Sequence, residues 1–594
     1  MKFSFSDILI IAAYILLTLI IGLYFRKKGS AGLRDYFLGG RNMPWYLAGL
    51  SMVATTFAAD TPLFVTEVIA KNGISGNWIW WNMLIGGMLT VFFFAKLWHR
   101  SDVLTELEFI ELRYDGKPGA FLRGFKAVYL GVFMNVLIIG WVNIALKAIL
   151  EIFFDIPQTQ ILIYVFLAML IASIYSSISG LWGITFTDAV QFIIAMTGSV
   201  LLAVFVVNSD GIGGMHGLKQ KITAISPDYL NFFPVINNSG NNNTIIYTIS
   251  FLSFIAFIGM QWWASWYPGA EPGGGGYVAQ RMMSTKNEKH SLFATLFFQI
   301  THYAIRPWPW IIVGLSAVVL YPELAVDAKK TGYVLAITDY MPHIWAVIML
   351  TALLAAYMST ISTQLNWGAS FLVNDLYKRF IKPANKFDSP EKAEKEYVVA
   401  GKVVTLIIML LSLVTTMVAD TIQEVWEFLI ACGAGLGLVL ILRWFWWRIN
   451  AWSEITATIV PVIVLLIINY KTNIEFPVSL FYLVGITTVS WLIVTYITKP
   501  VGSDHLNIFY NRVKPIGFWK KISGNNTFDY SAGYYISLFV CWISSVIVVY
   551  SILFCVGYWL FSEYTQFIRW FVTGLFSTAL LIVFYRKMES SALK

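Results

Sequence analysis

A cluster of hydroxyl side chains lies inside the apolar stretch of residues 350–366. Ser359, Thr360, Ser362 and Thr363 fall within five positions there. On a helix, positions i, i+3 and i+4 share a face, so Ser359, Ser362 and Thr363 would lie side by side. Hydroxyl and carbonyl oxygens suit a hard cation such as sodium. Small hydroxyl residues also serve only to pack membrane helices together, and the local sequence does not decide between the two interpretations.

Several ionisable side chains also fall inside apolar stretches. Three of them are candidates for a functional role: Asp60, Asp188 and Arg306. An ionisable group within a membrane-spanning helix is costly, and by default it indicates a function. For Asp188 the alternative interpretation is a carboxylate near the inner membrane surface. Asp60 lies deeper in its apolar stretch, so that interpretation fits it less well. We expect Arg306 to face either a cavity or a carboxylate.

The sequence contains no signature of enzyme catalysis. A P-loop, a nucleophile elbow and a zinc motif are all missing from it. Cys432, Cys541 and Cys555 lie in apolar stretches, without the spacing of a metal site or a disulfide framework. We therefore expect that the protein is not an enzyme.

The composition points to a membrane. Hydrophobic residues make up 58% of the 594 residues, charged residues 12%, and the mean hydropathy is +0.68. Soluble domains have about 45–50% apolar and about 25% charged residues, which excludes a cytosolic enzyme, a disordered chain and a secreted disulfide scaffold. The net charge of +8 is spread over short loops, so we expect a lipid bilayer and no nucleic acid as partner. The first apolar run lacks the basic flank and cleavage site of a signal peptide.

A spanning helix needs roughly 20 mostly apolar residues, and the hydropathy pattern predicts fifteen. They cover residues 5–25, 44–70, 78–98, 127–152, 160–178, 183–207, 246–279, 291–321, 343–371, 399–419, 424–442, 453–470, 478–498, 534–560 and 566–585. With the N-terminus outside, the inner loops carry 31 Lys and Arg residues and the outer segments carry 7. Basic loops resist translocation, so we predict a multi-pass plasma-membrane protein with an external N-terminus and a cytoplasmic C-terminus.

Two predicted spans are interrupted near their middle. The second contains Pro62, and the seventh contains Pro268, Glu271 and the glycine run 273–276. Proline removes a backbone donor and glycine disfavours helix, and such backbone is tolerated at membrane depth only inside protein or beside a water-filled cavity. The two breaks are five spans apart, as in inverted repeats that form a transporter binding site. Kinks that serve only packing are the alternative.

The glycine run carries its own expectation. Gly274 and Gly275 leave backbone N–H and C=O groups bare, so we predict that they line a solute cavity. Tight packing against a neighbouring helix is the alternative.

Four motifs in order resemble those of the sodium/solute symporters, which include sodium/glucose, sodium/proline and sodium/sialic acid carriers. These motifs are Asp35–Arg41, Gly180–Gln191, Tyr277–Arg281, and Ser359–Asn366 followed by Asn374–Tyr377. The likeness runs from about residue 5 to 498. It implies an all-α, leucine-transporter-type fold with one N-terminal helix, a five-plus-five inverted repeat and about four extra C-terminal helices. The expected parts are 1–43 (lead helix and first cytoplasmic loop), 44–208 (first repeat), 209–245 (extracellular loop), 246–447 (second repeat) and 448–594 (accessory helices).

The resemblance also implies binding sites. A general sodium site would use the carbonyls of Ala54, Phe57 and Ala356 with the hydroxyls of Ser359 and Thr360. A second sodium site, present in some members, would use Asp188, Ser359, Ser362 and Thr363. The solute pocket would include Thr56, Asp60 and Thr61, and the glycine run and the buried charge add Gly274, Gly275 and Arg306 to the expected pocket.

The expected function is sodium-coupled symport of a small polar solute by alternating access, with one or two sodium ions. The glycine-rich stretch and the charged pocket depart from the sugar carriers, so a sugar, an amino acid and a carboxylate all remain candidates. The alternative is a membrane sensor that keeps the symporter fold without coupled transport. Neither the oligomeric state nor the role of the last two helices and of the basic loop 499–533 follows from the sequence.

Overall fold

The computed structural model describes residues 4–25, 38–103, 105–176, 181–234, 248–419, 421–524 and 530–591. Over these residues the chain is almost entirely helical, and the extended pairings found there are two isolated bridges, Met43 with Thr285 and Trp446 with Phe518. Parts of the motifs Asp35–Arg41 and Gly180–Gln191 lie outside the described residues, as does the last part, 235–245, of the predicted loop 209–245.

A helix or a pair of helices coincides with each predicted span. We number them α1 (Phe5–Phe25), α2a (Trp45–Thr55), α2b (Asp60–Asn72), α3 (Ile74–Ser101), α4 (Gly116–Phe154), α5 (Gln158–Ser176), α6 (Leu181–Val207), α7a (Phe251–Ala264), α7b (Gly276–Ser284), α8 (Glu288–Leu320), α9 (His343–Ile381), α10 (Pro390–Val418), α11a (Ile422–Cys432), α11b (Leu436–Phe445), α12 (Ala451–Lys471), α13 (Ser479–Ile497), α14 (Ala532–Leu560) and α15 (Tyr564–Ser591).

Ten of the described helices are long and apolar enough to cross a membrane, and the bent pairs α2 and α11 raise this number to twelve. Of the helices that match the remaining predicted spans, α7a (Phe251–Ala264) is shorter. The protein is therefore a multi-pass membrane protein, while the count of fifteen crossings stays a prediction. Large apolar side chains remain exposed along α10 and α15, for example Val403 and Phe576, as expected of surfaces that face lipid.

The break in α2 follows directly from its sequence. After Thr55 the helix closes with a tight bond from the Phe57 N–H to the Ala54 carbonyl oxygen at 2.9 Å. A new helix starts at Asp60 with its axis turned by 57°. Pro62 falls in the first turn of α2b, where backbone N–H groups have no partner within the helix, so its missing donor costs nothing.

The break in α7 is longer. Residues 265–275 separate α7a from α7b, and Gly269, Gly273, Gly274 and Gly276 adopt positive φ angles between 53° and 85°. Residues with a side chain seldom adopt that conformation, so this path of the chain requires the glycines that the sequence supplies.

A third break, in α11, was not predicted. The span 424–442 was expected to be one helix, but α11a and α11b meet at 48° across residues 433–435. The breaks in α11 and α7 bind each other through their backbones: Trp266 N–H donates to the Gly433 carbonyl at 3.2 Å, and Gly435 N–H donates to the Ala264 carbonyl at 2.8 Å. Each irregular segment thus satisfies polar groups of the other inside the protein.

The helices that carry the candidate site pack together in the core. α6 contacts α2a, α8 and α9, and α4 contacts α9, α10 and α11a. This arrangement gathers the break in α2, the acidic position on α6 and the hydroxyl cluster on α9 into one region.

Candidate functional site

A buried cavity of about 70 Å³ lies beside the break in α2. Its wall includes Thr56, Asp60 and Thr61 of α2 and Arg306 of α8, all of which were expected in the solute pocket from the sequence. Residues of α3, α4, the α7 break, α9 and α11a complete the wall. The break in α2 therefore borders a cavity within the protein, and irregular backbone is tolerated beside such a cavity at membrane depth.

Arg306 is buried at the cavity and holds the end of α2a. Its Nη1 donates hydrogen bonds to Thr56 Oγ1 at 3.1 Å and to the Val53 carbonyl at 3.3 Å. Its Nη2 lies 3.3 Å from His302 Nε2, and the guanidinium carbon sits 5.0 Å from the ring centroid of Trp310. The last carbonyls of a helix carry partial negative charge, so the arginine partly neutralises the C-terminus of α2a.

Asp60 carries the opposite charge in the same wall. Its side chain is only 2% exposed, and its Oδ1 has no hydrogen-bond partner among the described residues. Asp60 and Arg306 do not form an ion pair within 4.0 Å in this part of the chain.

Aromatic rings form the side of the cavity near Asp60. Trp141 and Tyr267 are nearly parallel at a centroid distance of 6.2 Å, and Tyr267 lies 4.9 Å from Trp426. Phe64 stacks on Trp426 at 3.9 Å. The sequence did not predict these residues, because the chain contains 24 Trp residues and nothing in the local sequence marks which of them meet.

The hydroxyl cluster of α9 meets the carboxylate of α6. Ser359 Oγ donates to Asp188 Oδ1 at 2.9 Å, and Ser362 Oγ donates to the Ser359 carbonyl at 2.9 Å. Thr363 lies one turn after Ser359 on the same helix. Asp188 is 1% exposed, so its carboxylate is buried inside the protein.

The other oxygen of Asp188 belongs to a second set of contacts. Ser51 Oγ and Thr55 Oγ1 of α2a donate to Oδ2 at 3.2 and 3.4 Å, and Arg281 Nη2 lies 4.0 Å from it. Arg281 also donates to Ser51 Oγ at 3.4 Å and to Thr55 Oγ1 at 3.3 Å. Arg281 ends one of the four sequence motifs, but the motif alone suggested no role for it. A buried carboxylate needs a counter-charge, and Arg281 is the basic group that supplies one.

The residues of the predicted general sodium site belong to two elements. Ala54 and Phe57 lie at the α2 break, and Ala356, Ser359 and Thr360 lie on α9. Thr360 lines the cavity together with Thr55, Thr56 and Ala58 of the α2 break, and its Oγ1 donates to the Ala356 carbonyl at 3.0 Å. The Ala54 carbonyl accepts the 2.9 Å bond from Phe57 N–H and keeps a second lone pair. These oxygen donors are chemically suited to a hard cation.

Gly274 and Gly275 are not among the residues that line the cavity. A Cβ on Gly274 would lie 2.7 Å from Trp98 Nε1, and one on Gly275 would lie 3.0 Å from Glu106 Oε1. Trp98 Nε1 donates to the Gly273 carbonyl at 2.9 Å, and Gly276 N–H donates to Glu106 Oε2 at 2.7 Å. In this conformation the run packs against neighbouring elements, which was the alternative, and the α7 residues in the cavity wall are instead Tyr267, Pro268, Gly269, Ala270 and Tyr277.

Comparisons with known proteins agree with this architecture. A model of the "Sodium:solute symporter family" matches residues 36–461. Sodium/glucose cotransporter 1 of Sus scrofa is 23% identical over 492 residues, which cover 75% of this chain and 69% of that protein. Sodium/sialic acid symporter SiaT of Proteus mirabilis is 26% identical over 525 residues, covering 84% and 96% of the two chains. The osmoregulated proline transporter OpuE of Bacillus subtilis is 22% identical over 522 residues, covering 85% and 98%.

A solved structure of a Na+-coupled sialic acid symporter, substrate-bound and outward-open, aligns with a TM-score of 0.63 at 20% sequence identity. The alignment covers 84% of this chain and 100% of that chain. The likeness shows that the protein has the leucine-transporter-type fold expected from the sequence. Since the family model spans well over half of the 594 residues, the chain belongs to the sodium:solute symporter family.

Proposed function

We propose that this protein is a sodium-coupled symporter of the plasma membrane that moves a small polar organic solute by alternating access. The observation that supports the proposal is that the cavity beside the α2 break adjoins a cluster of hydroxyl and carboxylate oxygens, which suit a hard cation. Thr360 lines the cavity beside the α2 break, and its neighbour Ser359 bonds the buried carboxylate of Asp188.

Sodium at the general site would connect two helices. Its ligands would be the carbonyls of Ala54 and Phe57 at the α2 break and, from α9, the Ala356 carbonyl with the hydroxyls of Ser359 and Thr360. A ligand shifts a conformational equilibrium only by its differential affinity for the two states. Sodium therefore favours the outward-open state if the α2 break and α9 approach each other most closely there, and solute then favours closure of the outer side.

A second sodium would bind at the Oδ1 side of Asp188, with Ser359, Ser362 and Thr363. The Oδ2 side is already in contact with hydroxyls and the guanidinium of Arg281. Sodium on the Oδ1 side would displace the Ser359 hydrogen bond and convert that hydroxyl from a donor into a ligand.

The solute belongs in the cavity formed by the α2 break, α4, the α7 break and α8. A volume of about 70 Å³ is far below the roughly 300–1,000 Å³ of pockets for drug-sized ligands, which favours a small molecule. The relatives named above are transporters of glucose, sialic acid and proline, which are all small and polar.

The test is binding and uptake with the purified protein. Its melting temperature is compared in sodium and potassium chloride of equal ionic strength, with a panel of sugars, amino acids and carboxylates, and uptake is then measured in proteoliposomes. We expect sodium to raise the melting temperature and at least one solute to raise it further only in sodium, because a ligand that binds the folded state stabilises it. Equal melting temperatures in both salts, together with uptake that does not need a sodium gradient, would contradict sodium coupling.

A further inference from the structure

Two opposite charges line one cavity without pairing. Asp60 is 2% exposed and Arg306 is 1% exposed, and both belong to the cavity wall. Arg306 turns instead towards the C-terminal end of α2a and His302. The α2a carbonyl and hydroxyl contacts partly compensate Arg306, whereas Asp60 has no basic side chain within 4.0 Å among the described residues. A buried charge without a close partner is strongly unfavourable, so Asp60 in particular calls for a cationic group.

Each of these side chains also keeps one unused polar atom. Asp60 Oδ1 and Arg306 Nε have no hydrogen-bond partner among the described residues. Leaving a buried donor or acceptor unsatisfied costs about 1–3 kcal/mol, and more for a charged group. Asp60 thus has an acceptor without a partner, and Arg306 has a donor without a partner. A ligand with a hydrogen-bond donor at one end and an acceptor at the other would satisfy both.

Aromatic rings surround the acidic end. Phe64, Trp141, Tyr267 and Trp426 all line the cavity with Asp60, and their centroids follow one another at 3.9–6.2 Å. Faces of Trp and Tyr attract cations, both the ammonium of a lysine side chain and quaternary ammonium ligands. The carboxylate and the rings therefore select the same chemistry.

The basic end selects a carboxylate. Guanidinium groups bind carboxylates through several N–H donors in a fixed geometry, and Nε of Arg306 has no hydrogen-bond partner among the described residues. Thr56, whose hydroxyl bonds Arg306 Nη1, lies in the wall beside it.

We propose that the cavity binds a small zwitterion, with a primary or secondary ammonium at Asp60 within the cage of Trp141, Tyr267 and Trp426, and with a carboxylate at Arg306. This inference rests on the proposed function, because the zwitterion would be the transported solute. A neutral sugar would bring no opposite charge to either group, and a simple carboxylate would bring none to Asp60. A quaternary ammonium has no N–H to give to Asp60 Oδ1.

The experiment measures melting temperature and radiolabelled uptake in sodium for matched small probes. The zwitterions are glycine, L-alanine, L-proline, β-alanine and γ-aminobutyrate. The analogues of alanine are ethylamine, which lacks the carboxylate, propionate, which lacks the amine, and N-trimethylalanine, which lacks the N–H donors; glucose and lactate represent the other solute classes. We expect at least one zwitterion to raise the melting temperature and to be taken up, and ethylamine, propionate and N-trimethylalanine to do neither at the same concentration.

The variants add a readout that a structural defect would not produce. Arg306→Gln should reduce zwitterion affinity at least tenfold while improving the relative binding of the amine-only analogue, ethylamine. Asp60→Asn should also reduce zwitterion affinity, but it should improve the relative binding of the carboxylate-only analogue, propionate. If either variant does not fold, Trp426→Phe keeps an aromatic ring and should still weaken zwitterion binding. Glu475→Gln, which removes an exposed carboxylate on a loop, should change none of these values.

The outcomes separate this inference from the proposed function. If sodium stabilises the protein but no zwitterion binds, or a sugar or lactate is taken up in preference, the zwitterion inference is overturned and sodium symport stands. If sodium and potassium act alike and uptake needs no sodium gradient, the proposed function itself fails.

Discussion

At the scale of single residues, Asp188 is the connection between the helices that would bind sodium. Its Oδ1 contacts the hydroxyl cluster of α9 through Ser359, and its Oδ2 contacts Ser51 and Thr55 of α2a. Arg281 balances its charge from α7b at 4.0 Å. The two oxygens therefore face different helices. A cation bound at Oδ1 would change the charge of the shared carboxylate and so alter its contacts with α2a at Oδ2.

Replacing both Ser359 and Thr360 with alanine should raise the sodium concentration for half-maximal uptake at least tenfold. Two ligand hydroxyls would be lost, and a tenfold loss corresponds to about 1.4 kcal/mol. The measurement is uptake as a function of sodium concentration. Ser370→Ala is the matched control, because this serine lies on the same helix and donates to the Trp367 carbonyl of its own turn. Unchanged sodium dependence in the double variant would exclude these hydroxyls as ligands.

Asp188→Asn should lower the number of sodium ions carried per solute from two to one. An amide keeps the shape of the carboxylate but removes the charge that makes it a good ligand for a hard cation. Paired fluxes of labelled sodium and solute in proteoliposomes give the ratio. A ratio of one in the unmodified protein would rule out the second site, whatever the variant does.

At the scale of elements, three helix breaks are positioned against one another. The α2 and α7 breaks both contribute to the cavity wall, and the α11 break binds the start of the α7 break through two backbone hydrogen bonds. The glycine run at the end of the α7 break packs against Trp98 and Glu106. One end of this irregular segment thus faces the cavity, while the other end fixes α7b to its neighbours.

Gly274→Ala should destabilise the protein by about 1–3 kcal/mol more than Gly213→Ala, because only the first change overpacks its surroundings. Both glycines have similar positive φ angles, 77° and 82°. A Cβ on Gly274 meets Trp98 Nε1 at 2.7 Å, whereas a Cβ on Gly213 has nothing within 4 Å. Comparing the melting temperatures of the two variants therefore separates packing from backbone strain. Equal losses would indicate that the glycine run is not tightly packed.

At the scale of the whole molecule, the protein is a multi-pass bundle in which the irregular segments meet in the interior and smooth apolar helices face outward. Its proposed function depends on moving charge across the membrane. If the solute is a zwitterion with no net charge, each transported sodium carries one uncompensated positive charge.

Solute accumulation should therefore depend steeply on membrane potential. At −100 mV each charge contributes about 2.3 kcal/mol, so two sodium ions support roughly 2,000-fold accumulation at equal sodium on both sides, and one supports roughly 50-fold. The measurement is steady-state solute content of proteoliposomes under an imposed potassium diffusion potential. Accumulation that does not respond to the potential would contradict electrogenic transport.

The distribution of basic residues among the loops also predicts which loops face the cytoplasm. A cysteine placed at Asn385, in the basic connection between α9 and α10, should be shielded from an impermeant thiol reagent added outside intact cells. A cysteine at Asn473, between α12 and α13, should react. Both positions are exposed on the protein surface. Labelling at position 385 but not at position 473 would contradict the predicted orientation.

The membrane class, the positions of the helices and the two principal breaks could all be predicted from the amino-acid sequence. Spans follow from hydropathy because hydrocarbon demands about 20 apolar residues in a row, and the breaks near Pro62 and at the glycine run follow from local backbone chemistry. The break in α11 was missed. Its sequence signal, two glycines separated by Ala434, is weak. The bend is also held by hydrogen bonds to the α7 break, which is distant in the sequence.

Which side chains meet depends on the packing of the folded chain. Asp188 and Arg281 are 93 positions apart, and Trp141, Tyr267 and Trp426 lie on three different elements. The sequence placed Asp60 and Arg306 in one expected pocket, and both line the cavity, but it placed Gly274 and Gly275 there too although they pack elsewhere. The physical reason is that hydropathy and backbone preference act along the chain, whereas a binding site is set by how helices cross, which depends on the packing of all of them together.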